Sequence, residues 1–345
     1  MSIIKRKEID LKKIGILTFT YGDNFGQRLQ NLAVQEILKT FGFEVYTIPQ
    51  VVPRRYMKLE KEERHICFEY FNNKFIDFYY DSIGKYKIPK GLGAFDFFVV
   101  GSDQVWSPYS PDVNWTFFLK FASTKKRIAY APSMATDNIP KKKKILYRWY
   151  MRGFDAISVR EKQSKELLKE FVSVSIETLI DPTLMFDSDF WSNYIIVPKY
   201  SLPDEYILYY GLGDSNEDEK LNDFAKSKKC SLIQLTKGTE WFNVGPSQFL
   251  YLISCAKYVI TDSYHGMIFS ILYHKPVYYL NRNTAGINMQ SRFETLFSKL
   301  DVHLDDGKGP FKKCIIDYSV TNKKLGEERK KALLFLTERF NKKVD

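Results

Sequence analysis

The sequence predicts an α/β protein built from two doubly wound sheet domains that face a cleft, and three observations carry that prediction. Short apolar, β-branched runs alternate along the chain with longer segments in which apolar residues recur every three or four positions. The chain's 345 residues exceed one average domain and suit two. The third is a recurring transition from strand to polar turn to helix. In its sharpest form Tyr258 to Thr261 reads as a buried strand, Ser263-Tyr264-His265-Gly266 as a turn, and Met267, Ile268, Ile271 and Leu272 as one helix face. In such sheets ligands bind beyond the carboxyl ends of strands, where helix N-termini present N–H groups to anions. A histidine there can exchange protons with a ligand or merely cap the helix.

The elements follow in order. Lys13 to Thr18 reads as a strand, Tyr21 to Gly26 as a polar turn, and Leu29, Leu32, Ala33, Ile37 and Leu38 as a helix face stopped at Gly42 before a strand from Phe43 to Ile48. The turn is neither GxGxxG nor a Lys-Ser/Thr phosphate loop. Pro53 to Pro89 is a charged, aromatic helical insert with Phe68, Phe71, Phe75 and Phe78 on one face. Phe95 to Val100 is a strand running into Gly101-Ser102-Asp103-Gln104-Val105-Trp106, where Trp106 is either a sugar platform or a packing residue for the next element. Arg127 to Ala131 is a strand ending at Pro132-Ser133-Met134. From Pro140 a basic helix runs to Gly153, with Ile145, Leu146, Trp149 and Tyr150 toward the core and its cations toward water or an anionic membrane.

Phe154 to Val159 is the next strand, ending at Arg160-Glu161, followed by a helix from Ser164 to Phe171 and a strand at Thr178 to Ile180 that breaks at Asp181-Pro182-Thr183. The second half repeats the alternation: strand Tyr206 to Gly211, helix Asn216 to Ala225, strand Ser231 to Leu235, helix Pro246 to Cys255, then the stretch described above and the strand Val277 to Leu280. Helices from Gly286 to Leu300 and from Lys323 to Lys343 complete the chain. The expected division is an N-terminal domain at 1–188 on the acceptor side, a C-terminal domain at 189–322, and a helix at 323–345 that packs back on the first domain.

Composition narrows the function. Hydrophobic content of 44% and charged content of 27% describe an ordinary folded protein. Aromatics at 16% suit a sugar-handling protein, although compositional bias explains them first. The four cysteines are scattered without a CxxC pair, and His65, His265, His274 and His303 form no HxxH pattern, so no metal site is expected. The first residues lack the apolar core of a signal peptide and no run reaches membrane-spanning length, which makes the cytoplasm the expected location. A net charge of +11 favours anionic partners. With no zinc-finger, RNP or helix-turn-helix pattern beside it, nucleic acid is not among those expected.

Seven segments, in order, give the chain a resemblance to the polysaccharide pyruvyl transferase family. They are GDNFGQRLQNLAVQEIL from Gly22, FFVVGSDQVWSP from Phe97, RIAYAPSM from Arg127, ISVREKQS from Ile157, LIDPTLM from Leu179, VITDSYHGMIFSILYHKPV from Val259 and SRFETLF from Ser291. The resemblance implies a glycosyltransferase B-like arrangement of two Rossmann-like domains. It also implies transfer of pyruvate from phosphoenolpyruvate onto two hydroxyls of a glycan, with no further cofactor; the leading reading takes that glycan as lipid-linked or capsular, and the basic surface then gives peripheral contact at the inner face of an anionic membrane. On that reading His265 and Arg160 are the catalytic residues. Arg160, Ser263, Tyr264, His265, Gly266, Lys275 and Arg292 face the donor, and Asn24, Gln27, Asp103, Gln104, Trp106 and Ser133 face the acceptor. In one pattern of the family an arginine stands two residues before the histidine; here that residue is Ser263, and Arg292 or Lys275 is expected to compensate. A nucleotide-sugar glycosyltransferase and an inactive glycan-binding protein share the expected fold and stand as alternatives.

Overall fold

The computed structural model describes residues 11–213, 217–280, 290–307, 309 and 311–341. The starts expected for two helices at Gly286 and Asn216, and the last residues expected for the C-terminal helix at Lys342 and Lys343, lie outside them.

The first half contains β1 (Lys13–Leu17), α1 (Phe25–Thr40), β2 (Glu44–Thr47), α2 (Glu63–Phe75), β3 (Phe97–Val100), β4 (Arg127–Ala129), α3 (Lys144–Met151), β5 (Ala156–Val159), α4 (Lys162–Leu168) and β6 (Ile176–Thr178). Its six strands form one parallel sheet in the order β2-β1-β3-β4-β5-β6. A short α5 (Ser188–Ser192) leads into the second half: β7 (Tyr206–Tyr210), α6 (Asp218–Lys228), β8 (Ser231–Gln234), α7 (Pro246–Cys255), β9 (Tyr258–Thr261), α8 (Tyr264–Leu272) and β10 (Val277–Tyr279). After these come α9 (Ser291–Leu300), β11 (Val302–Leu304), β12 (Lys312–Ile316) and α10 (Tyr318–Phe340). The second sheet runs β11-β12-β10-β9-β7-β8, parallel from β10 to β8 and antiparallel at the β12 and β11 edge. Two parallel-sheet α/β domains are therefore present. The edge pair β11 and β12 carries no apolar run, because His303, Lys312 and Lys313 face solvent, and hydrophobic pattern alone does not reveal such strands.

Three elements position the domains. Phe25 at the start of α1 is sandwiched between Phe68 of α2 at 5.4 Å and Phe249 of α7 at 4.4 Å, so the insert and both domains share one apolar core. Helix α10 spans both halves. Thr321 donates to the Leu300 carbonyl, whereas Ala332, Phe335, Leu336 and Phe340 bury against Ile14, Ile16 and Val34 of the first domain. Of the four phenylalanines expected on one helical face of the insert, Phe78 falls beyond α2, in an isolated bridge with Thr47.

Helix α3 is oriented differently from the expectation. Tyr147, Tyr150 and Met151 are its buried residues, and Ile145, Leu146 and Trp149 point outward. The tyrosines win the inner face because they fit an aromatic site: Tyr150 stacks on Phe118 at 4.3 Å, and the Tyr147 hydroxyl donates to the Trp106 carbonyl at 2.7 Å.

Candidate active site

Each sheet has one place where the strand order reverses, and these are where an open α/β sheet leaves a crevice. In the first domain it lies between β1 and β3, in the second between β7 and β9. The loop after β1 leads into the N-terminus of α1, capped by Asn24, whose side chain accepts from the Gln27 amide at 3.2 Å. The loop after β9 leads into α8, capped by Ser263, which accepts from the Gly266 amide at 3.3 Å. These two helix starts meet. A Cβ on Gly26 would lie 2.0 Å from the His265 Nδ1, so the glycine is what lets the imidazole of one domain rest on the backbone of the other. Gly266 is likewise required, because a Cβ there would lie 2.5 Å from Thr261 Oγ1.

Behind the imidazole stands a buried carboxylate. His265 Nε2 lies 3.5 Å from Asp181 Oδ2. The same oxygen accepts from Arg160 at 2.7 Å and from the Ser102 hydroxyl at 3.0 Å, and Oδ1 accepts from the Thr183 amide and hydroxyl. Burial opposes the negative charge of Asp181, but the charges of His265 and Arg160 and the hydrogen bond from Thr183 outweigh it and hold the carboxyl well below the usual range. Burial also works against the charge on Arg160, where Asp181 reverses the balance and keeps the guanidinium protonated. Tyr264 completes the cluster: its ring has the Arg160 guanidinium at 4.3 Å and that of Arg292 at 5.7 Å. Two arginines, a histidine and the carboxyl groups of Asp181 and Glu161, the latter 3.9 Å from Arg160, thus meet at the seam between the domains.

A cavity of about 360 Å³ lies at the loops after β1 and β3, lined by Asn24, Gln27, Asp103, Gln104, Tyr56 and Asp112 among others and by none of the cluster's own residues. Its inner wall is joined to the cluster through the chain. Gln27 follows Gly26, on which His265 rests, and Asp103 follows Ser102, which donates to Asp181. One oxygen of Asp103 is buried without a hydrogen-bond partner, as is the side-chain Oε1 of Gln27. A second cavity of about 410 Å³ lies at the ends of β7 and β8, lined by Tyr210, Gly211, Leu212, Gly213 and Lys237 with Asp23 and Arg64 from the first domain. Asp262, the acidic residue at the second crevice, accepts from the amides of Leu212 and Gly213 and so closes that loop.

The residues singled out by sequence divide accordingly. Asn24, Gln27, Asp103 and Gln104 share one cavity, while Arg160, Tyr264, His265 and Arg292 share the cluster. Ser263 has its hydroxyl oxygen committed to the helix cap. Trp106 is not a sugar platform: its ring is fully enclosed, stacks on Phe118 at 5.4 Å, and donates Nε1–H to the Phe117 carbonyl. Ser133 is also enclosed, and its hydroxyl donates to Glu161 at 2.6 Å. Lys275 stands at the wrong end of its sheet. It precedes β10, next to the Pro276 carbonyl that accepts from the Val259 amide, whereas His265 lies beyond the carboxyl ends of the strands. Arg160 takes up the pairing with Asp181. Sequence reasoning did not assign Asp181 to the site, although it stands in the LIDPTLM segment of the resemblance and in the Asp-Pro-Thr break after a strand.

Comparison with known proteins bears on family and fold. A family model described as polysaccharide pyruvyl transferase matches residues 24–284, a span containing Arg160, Asp181 and His265. A search of curated protein sequences finds no match. Among solved structures, the chain is similar to a Listeria monocytogenes protein carrying the provisional name UDP-N-acetylglucosamine 2-epimerase, with 13% identity, 96% of each chain covered and a TM-score of 0.52. It is also similar to S. aureus MnaA in a co-structure with UDP, with 11% identity, 96% of this chain and 97% of that chain covered and a TM-score of 0.50. At such identities the likeness concerns fold alone, and that fold is glycosyltransferase B-like.

Proposed function

Because the chain belongs to the polysaccharide pyruvyl transferase family, we propose that it moves the pyruvyl group of phosphoenolpyruvate onto two hydroxyls of a glycan, forming a cyclic ketal. The observation that carries this reading is the contact of His265 with a buried, ionised Asp181 across the domain seam, joined through the chain to a polar cavity.

Phosphoenolpyruvate presents a carboxylate and a phosphate to be held, and Arg160 and Arg292, both near the Tyr264 ring, are the cations that suit them. The reaction begins with proton transfer to the methylene carbon, which leaves positive charge on the neighbouring carbon. Protonated His265 is the acid, and Asp181 stabilises its charge from the Nε2 side. This leaves Nδ1, on the α1 side, to deliver the proton. A sugar hydroxyl then adds to the cationic carbon and returns a proton to the imidazole. Cleavage of the carbon–oxygen bond to phosphate releases inorganic phosphate with one proton, and the second hydroxyl closes the ketal as it loses its own. The balance is one phosphoenolpyruvate and two hydroxyls giving one ketal and one phosphate. Asn24, Gln27, Asp103 and Gln104 supply the hydrogen-bonding wall that an acceptor sugar needs.

The test is to incubate the full chain with phosphoenolpyruvate and soluble and lipid-linked glycans, following phosphate release together with the mass of the product. Pyruvylated glycan is expected, with His265→Gln slower on the order of a hundredfold or more. Equal rates in wild type and His265→Gln remove the histidine from the chemistry. Consumption of a nucleotide sugar in place of phosphoenolpyruvate identifies a glycosyltransferase instead.

A further inference from the structure

The outward face of α3 is a feature that the proposed chemistry leaves unused. Ile145 is 79% exposed, Leu146 42% and Trp149 48%, and their spacing sets all three on one side of the helix. Trp149 is the exposed one of the five tryptophans. Isolated exposed apolar residues need no explanation, but an adjacent group that includes a tryptophan does.

The charges around this face have one sign. Lys141 and Lys142 lead into the helix fully in solvent, Arg148 and Arg152 are exposed along it, and the Lys120 ammonium lies 4.8 Å from the Trp149 ring centroid. The nearby acid, Glu170, is paired with Lys144 at 2.8 Å. A short apolar stripe with tryptophan, ringed by lysine and arginine, matches a membrane interface: apolar side chains enter the acyl boundary, the indole sits at headgroup level, and the cations meet lipid phosphates.

We propose that the outward face of α3, with Lys141 and Lys142, docks the protein on an anionic phospholipid bilayer. The place of α3 gives such docking a use. Tyr150, on the inner side of the helix, lines a cavity of about 530 Å³ together with Val51, Val52 and Tyr86, and Tyr21 and Asp112 line both this cavity and the smaller one at the candidate site. The cavity beneath α3 and the one at the end of β1 are thus neighbours that share Tyr21 and Asp112 in their walls. That an acceptor sugar reaches them on a lipid carrier rests on the pyruvyl transfer reading; the docking itself does not.

The experiment is co-sedimentation of the full chain with vesicles of phosphatidylcholine alone and of phosphatidylcholine carrying about 30% phosphatidylglycerol. Binding is expected only to the anionic vesicles, weakening as salt is raised, with a blue shift of tryptophan emission that Trp149→Phe abolishes. Ile145→Glu/Leu146→Glu and, separately, Lys141→Gln/Lys142→Gln are each expected to lower partitioning by about tenfold or more. Both pairs replace solvent-facing residues, so circular dichroism and melting temperature should be unchanged, as should turnover on a soluble glycan. Loss of vesicle binding and loss of pyruvyl transfer therefore read out separately. Binding that is indifferent to anionic lipid, or that survives the Ile145/Leu146 substitutions, overturns the proposal. So does a finding that Ile145→Glu dissociates a dimer while vesicle binding persists, which makes this face an interface between copies of the chain.

Discussion

Asp181 is the residue on which the electrostatics of the seam turn. Its carboxylate has protein partners on both oxygens, and its depressed folded-state pKa links it to stability in a defined direction. A carboxyl whose folded pKa lies below its unfolded value, about 3.9, stabilises fully above that value and progressively less as pH falls through it toward the folded one. Asp181→Asn removes the charge and leaves the buried Arg160 with Glu161, 3.9 Å away, as its remaining ion-pair partner, at a cost of up to about 3–5 kcal/mol near neutral pH. Urea unfolding of both proteins from pH 7 downward should show a gap that narrows below about pH 4; a gap constant with pH would mean that the side chain acts only as a neutral hydrogen-bond acceptor. At this scale the sequence was legible where chemistry and local spacing coincide, as at His265 after its strand. It was not legible at Asp181, because no local pattern joins that residue to a histidine in the other domain. Trp106 misled for the same reason: a tryptophan in a polar turn looks alike whether or not Phe118 waits to stack on it.

The elements were easier to read than the faces they present. Parallel strands buried on both sides leave nearly continuous apolar runs, so β1, β3, β7 and β9 stand out in the sequence. The orientation of α3 was hidden because it carries apolar residues on two sides, and only the aromatic site at Phe118 decides which side turns in. Helices α1 and α8 pose the reverse case: each was recognisable, but their end-to-end meeting was not. That meeting depends on Gly26. In Gly26→Ala the new methyl group cannot share space with the His265 ring, so the imidazole must turn or the helices must part. Alanine in place of a helical glycine otherwise favours the helix by roughly 0.5–1 kcal/mol, which limits the expected loss of stability. Turnover should fall by about tenfold or more. If the damage runs through His265, Gly26→Ala added to His265→Ala should cost little further, and a full additive loss in the double variant would refute that route.

At the scale of the whole molecule, the candidate site belongs to neither domain alone. His265 comes from the second domain and Asp181 and Arg160 from the first, and His265 is only 7% exposed where they meet. On the pyruvyl transfer reading, so little exposure leaves a donor the size of phosphoenolpyruvate scant room at the imidazole, and turnover is expected to need the domains to part and close again. The connection between them suits such a motion on one side, where α10 crosses from α9 to the first sheet. Apart from the apolar core shared around Phe25, a polar contact ties the domains: the Lys162 amide at the start of α4 donates to the Thr295 hydroxyl of α9 at 3.2 Å. Bridging that contact should hold the domains together. In Lys162→Cys/Thr295→Cys, oxidation is expected to suppress turnover and donor binding by about tenfold or more, and reduction to restore both. Each single cysteine variant under the same oxidant controls for the native Cys67, Cys230, Cys255 and Cys314, which are free thiols. Suppression confined to the oxidised double variant ties the reaction to domain opening. Full turnover in a preparation shown by mass spectrometry to be cross-linked would mean instead that substrates reach His265 with the seam closed at α4 and α9.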